Sequence, residues 1–279
     1  GVETMRWNNP QIKLVPRSIA NCIDFAILFF GKHLLLFLKL WAIITIPCCL
    51  LMYFLASLFE LGGWTACLIF FLASAPLGAL VTLATTPVLT GKKCSMRELM
   101  NQLEAVGPLI LMKVIILRIT TGLAALLLVI PGIWIALRFR FVIEKSSLES
   151  MEEHLHNEST DQLIRDEWGN AMGQALVITL FCSLLFVSLF VTFDAVSNYI
   201  FMFPILLGRI AEIENPDGLR YLLWYDPWVL MLAIATAMLV YPIGRLAWFF
   251  CYVDCRVRYD CWNIELKIND EVRHMETKR

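Results

Sequence analysis

The chain has 279 residues, 59% of them apolar and only 17% charged, with a formal net charge of −1. A soluble domain carries roughly a quarter charged residues, whereas several apolar runs here reach the ~20 residues that cross a bilayer. Composition therefore argues against a soluble domain, and the balanced charge offers no general attraction to nucleic acid.

Residues 1–16 form a polar arm without a cleavable signal pattern, and the start at Gly1 suggests trimming. The first membrane helix is expected to act as the insertion signal. Residues 17–31 place Ile19, Cys22, Ile23, Ala26, Ile27 and Phe30 at helical spacing, on one apolar face. A helix of this kind in front of a span commonly lies flat in the membrane interface.

Span one is expected over 34–59, with Pro47 as a kink point. Glu60-Leu61-Gly62-Gly63 is a very short connection to span two, 64–89, which holds Pro76 and Pro87. A polar loop follows at 91–107, where Ser95 and Glu98 have the capping-box spacing that starts a helix. Span three, 108–130, carries Lys113 near its start and Arg118 near its middle, and ends at Pro131-Gly132. The run 132–145 is apolar but short, and crosses only if Arg138, Arg140 and Lys145 reach the interface. Residues 146–170 are acidic and read as a helical surface insert. Span five covers 173–200 with Asp194 near its far end. Residues 201–226 carry turn chemistry, including Asn215-Pro216-Asp217-Gly218 and Asp226-Pro227. Span six covers 228–253, with Pro242 and Arg245, and a charged tail follows.

Lys and Arg mark the cytoplasmic side of membrane proteins. They concentrate in the N-terminal region, in the 91–107 loop and in the tail, and are absent from the 60–63 turn. Both termini are thus expected in the cytoplasm, which requires an even number of crossings and makes 132–145 a short fourth one. The alternative is a continuous, bent third span with termini on opposite sides.

Ionisable groups within a bilayer are costly and are functional suspects. Arg118 lies about ten residues into its span, ~15 Å deep at 1.5 Å per residue. Two roles are open to it: a structural one, bonded to helix carbonyls or a partner subunit, or a substrate or ion site with Lys113. A cavity lined by Lys113, Arg118, Thr120 and Thr121 would favour transport; Arg118 facing lipid or an outer groove would favour a missing partner. Arg245 lies close enough to the inner end of its span to snorkel, and its depth does not match that of Asp194. Arg256 and Arg258, beside Tyr252, Tyr259 and Trp262, are candidate contacts for lipid headgroups.

The nine cysteines make no paired CxxC motifs and read as packing residues. His154 and His156 are two apart and share no helical face, so no metal site is expected. No Ser/His/Asp order, HExxH, GxSxG or Walker loop occurs, so neither an enzyme nor a cofactor is expected.

Three patches carry a resemblance. They are the entry from Ser18 to His33; Pro131-Gly132-Ile133-Trp134, continuing through Arg138-Phe139-Arg140 and Glu144 to Glu167-Trp168-Gly169; and the exit from Tyr252 to Asp260. In these the chain resembles bacterial multi-pass membrane proteins related to the membrane domain of glycerophosphodiester phosphodiesterases. The resemblance implies about six helices and a membrane-domain or accessory role. The family's phosphodiesterase activity is not expected, because no catalytic domain accompanies these patches.

The expected fold class is all-α: one polytopic membrane helix bundle with about six transmembrane segments and interfacial amphipathic helices. The leading functional expectation is a non-enzymatic accessory or structural subunit of a bacterial inner-membrane assembly, touching lipids and other membrane subunits and no nucleic acid. The alternative is a small-molecule or lipid transporter.

Overall fold

The structure, a computed structural model, describes residues 18–89, 96–105, 107–127, 135, 168–210 and 215–259. Among the described residues it is all helix, without strands. In chain order these are α1 (Ile19–Lys32), α2 (Leu34–Phe59), α3 (Gly63–Leu89), α4 (Met96–Ala105) and α5 (Gly107–Leu127). After them come α6 (Trp168–Tyr199), α7 (Leu207–Ile210), α8 (Pro216–Tyr225) and α9 (Pro227–Tyr259). The expected short crossing at 132–145 and nearly all of the 146–170 insert lie outside the described residues.

Four of these helices are long and apolar enough to cross a membrane: 34–59, 63–87, 172–199 and 227–255. Their bounds match four of the expected spans closely. The fifth expected span is α5, which is 21 residues long and interrupted in polarity by Lys113 and Arg118.

Helix α9 is the axis of the bundle, packed by α1, α2, α3 and α6. Its N-terminus is tightly specified. The Asp226 carboxylate accepts hydrogen bonds from the backbone N–H groups of Trp228 (3.0 Å) and Val229 (3.2 Å), and Pro227 occupies the first helical position. The same carboxylate is paired with Arg209. On the other side of the bundle, Phe250 of α9 meets Phe25 and Phe29 of α1 edge to face at 4.7 and 5.8 Å.

That contact revises the reading of α1. Its apolar stripe does not simply float on lipid: Cys22, Ile23, Ala26 and Phe29 are buried, mostly against α9. Ile27, expected on the apolar face, is 41% exposed, because the stripe is rotated toward Phe29. Ser18 starts the helix by accepting the Asn21 N–H at 3.3 Å.

Pro47, Pro76, Pro87 and Pro242 all lie inside continuous helices. Membrane helices tolerate this where neighbouring helices and hydroxyls satisfy the freed backbone groups. The α2–α3 connection turns at Glu60, in the left-handed region with φ 53°, and Leu61 N–H returns to Leu55 O. Gly62 and Gly63 are required there because the Trp224 indole of α8 lies against them. A Cβ on Gly62 would sit 2.8 Å from Trp224 Cδ1.

Residues 201–226, expected as turns, hold the two short helices α7 and α8. Asn215 before Pro216, with Asp217 in the first turn, starts a helix here rather than an isolated turn. Asp194 of α6 anchors this segment. It is fully buried, and its two carboxylate oxygens accept the N–H groups of Leu206 and Leu207, each at 2.8 Å. Asp194 therefore satisfies the start of α7 and does not approach Arg245, as the difference in depth along the two helices requires.

A cavity between four helices with two arginines in its wall

A cavity of about 490 Å³, open on one side, lies between α3, α5, α6 and α9. Its size falls in the roughly 300–1,000 Å³ range of small-molecule sites. Helix α6 lines it with Ala175, Ile178, Thr179, Cys182, Ser183 and Phe186, which recur at steps of three or four and so share one face. Helix α9 contributes Ala237, Val240, Tyr241, Gly244, Arg245 and Trp248 by the same spacing. Phe70 comes from α3 and Arg118 from α5.

Arg118 is held by neutral groups. It donates from Nη2 to the Tyr241 hydroxyl at 3.1 Å, and its guanidinium sits 5.1 Å from the centroid of the Phe71 ring. A cation over an aromatic face is stabilised by ~0.5–2 kcal/mol, more when desolvated. Neither contact neutralises the charge. Gly122 lets α5 approach the same ring: a Cβ there would be 3.3 Å from Phe71 Cε1.

Tyr241 is itself placed by a glycine. Its hydroxyl lies 2.6 Å from where a Cβ on Gly78 would be, so only a bare backbone on α3 leaves it room. One α-turn further along α9, Arg245 donates from Nε to Thr82 Oγ1 at 3.2 Å. Thr82 in turn donates to Gly78 O at 3.0 Å. Gly78 and Thr82 of α3 thus position both cavity cations, one through Tyr241 and one directly.

Arg245 lies close enough to the inner end of its span to snorkel, but the structure packs it inside the bundle. It is 8% exposed and turned into the bundle. The Thr82 hydroxyl and the cavity wall give the guanidinium an internal position that the sequence alone does not reveal. Arg118 does line a cavity, but Lys113, Thr120 and Thr121 do not. Lys113 is exposed, and the two threonines donate to the carbonyls of Ile116 and Leu117 on their own helix. The side chains of Arg256 and Arg258 lie outside the described residues, although the α9 backbone runs through both positions.

The described lining contains two arginines, three hydroxyl side chains (Thr179, Ser183 and Tyr241) and no carboxylate. The rest of the wall is apolar or aromatic. Such a wall binds and orients a negatively charged group by charge-assisted hydrogen bonds. Among the described lining residues there is no carboxylate or histidine to act as a general base. Among the described residues no group of three His, Cys, Asp or Glu gathers to hold a metal. No family model, curated protein or solved structure matches this chain.

Proposed function

We propose that this chain is a non-enzymatic integral membrane protein that binds its ligand in the cavity between α3, α5, α6 and α9, as a small-molecule or lipid transporter does. The observation that carries the proposal is the convergence of Arg118 and Arg245 on one cavity. A guanidinium held by neutral groups, as Arg118 is, costs several kcal/mol at membrane depth, and a bound anion offsets that cost. The distribution of Lys and Arg favours cytoplasmic termini, and the resemblance of the three patches to bacterial multi-pass proteins favours the inner membrane.

Cys182, in the cavity wall, supplies the test. In a variant keeping Cys182 as its sole cysteine, a charged, membrane-impermeant thiol reagent is expected to label it. Filling the cavity with Ala237→Phe is expected to suppress that labelling. A Cys182 that resists the reagent in folded protein contradicts a ligand-accessible cavity.

One observation favours a second reading, an accessory or structural subunit. Only 6% of the α6 membrane window is buried by the described residues, against 56% for α3 and 50% for α9. In this reading a partner subunit covers α6. The mass of the particle extracted in mild detergent decides: a defined hetero-complex supports it, and a lone monomer or homodimer sinks it.

A further inference from the structure

The charge and shape of the cavity define its ligand more narrowly. Arg118 brings a full positive charge whose contacts are a phenol oxygen and a benzene ring. Arg245 brings a second guanidinium to the same wall, and Thr179, Ser183 and Tyr241 add hydroxyls. Planar guanidinium groups recognise oxyanions, carboxylate or phosphate, in preference to neutral polar groups. Around this polar patch the wall is Ala175, Ile178, Phe186, Val240 and Trp248, which offers nothing to a hydrated ion but packs well against hydrocarbon.

A small, free anion would use only the polar patch and leave the apolar part of the wall uncovered. An amphiphile meets both halves of the wall, with its head on Arg118 and its chain against the apolar residues. Three of the four helices around the site, α3, α6 and α9, are long and apolar enough to sit in the bilayer, where amphiphiles are concentrated and free ions are not. The cavity is open on one side, so a chain longer than 490 Å³ can hold need not be enclosed.

We infer that the cavity between α3, α5, α6 and α9 binds an anionic amphiphile, its oxyanion head held by Arg118 and its hydrocarbon chain laid along α6 and α9. This rests on the proposal that the cavity is the ligand site. The oxyanion chemistry is shared by a lipid headgroup and by free phosphate, and the test separates them.

The intact protein in a neutral detergent is titrated with phosphatidylglycerol, with phosphatidylcholine and with inorganic phosphate. Binding is read by native mass spectrometry and by the shift in melting temperature. Phosphatidylglycerol is expected to bind and stabilise, at least tenfold tighter than phosphatidylcholine, and inorganic phosphate is expected to do nothing at millimolar concentration. Arg118→Gln is expected to weaken phosphatidylglycerol binding tenfold or more. Arg245→Gln removes a buried group and can fail to fold, so Ala237→Phe provides the independent variant: it keeps both charges and is expected to exclude the lipid. Equal binding of the two lipids, binding of inorganic phosphate alone, or full lipid binding by both Arg118→Gln and Ala237→Phe would overturn the inference. Failure of this assignment is distinct from failure of the cavity proposal. If Cys182 reacts with a charged reagent while no anionic lipid binds, the cavity stands and the ligand class falls. If Cys182 is sealed, both fall.

Discussion

Arg118 of α5 and Tyr241 of α9 are joined by a 3.1 Å hydrogen bond, from guanidinium to phenol oxygen, at the wall of the central cavity. The bond fixes the cation through a hydroxyl and not through a carboxylate. Tyr241→Phe keeps the ring and removes the acceptor. Polar contacts between membrane helices contribute ~0.6 kcal/mol on average and up to ~1.7. The variant is therefore expected to lose about 1 kcal/mol of stability by denaturant titration and to bind its anionic ligand several-fold more weakly. Unchanged ligand affinity would show that Tyr241 does not position Arg118.

Gly78 is coupled to this pair by space alone. Gly78→Ala places a methyl 2.6 Å from the Tyr241 hydroxyl, a clash that overpacking estimates put at ~1–3 kcal/mol. In a Tyr241→Phe background the offending oxygen is gone, so the same substitution is expected to cost at least ~0.5 kcal/mol less, a coupling of the size seen between touching residues. A double-mutant cycle on thermal or denaturant stability measures it. Additive costs would mean that the close approach is relieved elsewhere.

At the far end of α6, Asp194 accepts two backbone N–H groups at the start of α7. Asp194→Ala leaves the Leu206 and Leu207 N–H groups without that acceptor and is expected to cost about 2–3 kcal/mol. Hydrogen exchange at those two amides is expected to accelerate. Asp194→Asn retains one acceptor oxygen and is expected to lose roughly half as much. Slow exchange in the alanine variant would contradict the anchoring role.

His33 joins α1 to α2, and its pKa is lowered from the usual 6.5 by burial and by the neighbouring Lys32 charge. As pH falls below 6.5, the unfolded chain takes up a proton that the folded chain resists. The unfolded state then binds more protons, so stability declines with falling pH, from about 6.5 down to the lowered folded value, and is unaffected above that window. His33→Asn is expected to flatten this slope in melting curves taken across pH 5–7. A slope that survives the substitution would assign it to other groups.

Much of this architecture is legible in the sequence. Four membrane helices could be bounded to within a few residues because runs such as 34–59 and 228–253 are long and apolar, and length against bilayer thickness is a strong constraint. Arg118 stood out because a charge deep in a span is expensive. The inward direction of Arg245 was not legible, because hydropathy sees depth along a helix but not the direction of a side chain. Its direction is set by Thr82, 163 residues away in sequence. The signal that was available is periodic: Ala237, Tyr241, Gly244, Arg245 and Trp248 fall on one face of α9, opposite Ala175, Thr179, Cys182 and Phe186 on one face of α6. Each set reads as ordinary packing until the two helices are seen to face each other. Lys113, Thr120 and Thr121 share a helix with Arg118 but do not line its cavity, so nearness in sequence misled there.

The central claim is that a ligand-accessible cavity carries a positive field inside the bundle. The most direct measurement is the rate at which Cys182, as sole cysteine, reacts with two thiosulfonate reagents of equal size, one negatively and one positively charged. Charged clefts with low-dielectric walls raise the local concentration of counter-ions by ~10-fold or more. The anionic reagent is therefore predicted to react on the order of tenfold faster, with the ratio collapsing toward unity in Arg118→Gln. Equal rates in the parent protein, or faster reaction of the cationic reagent, would contradict the account.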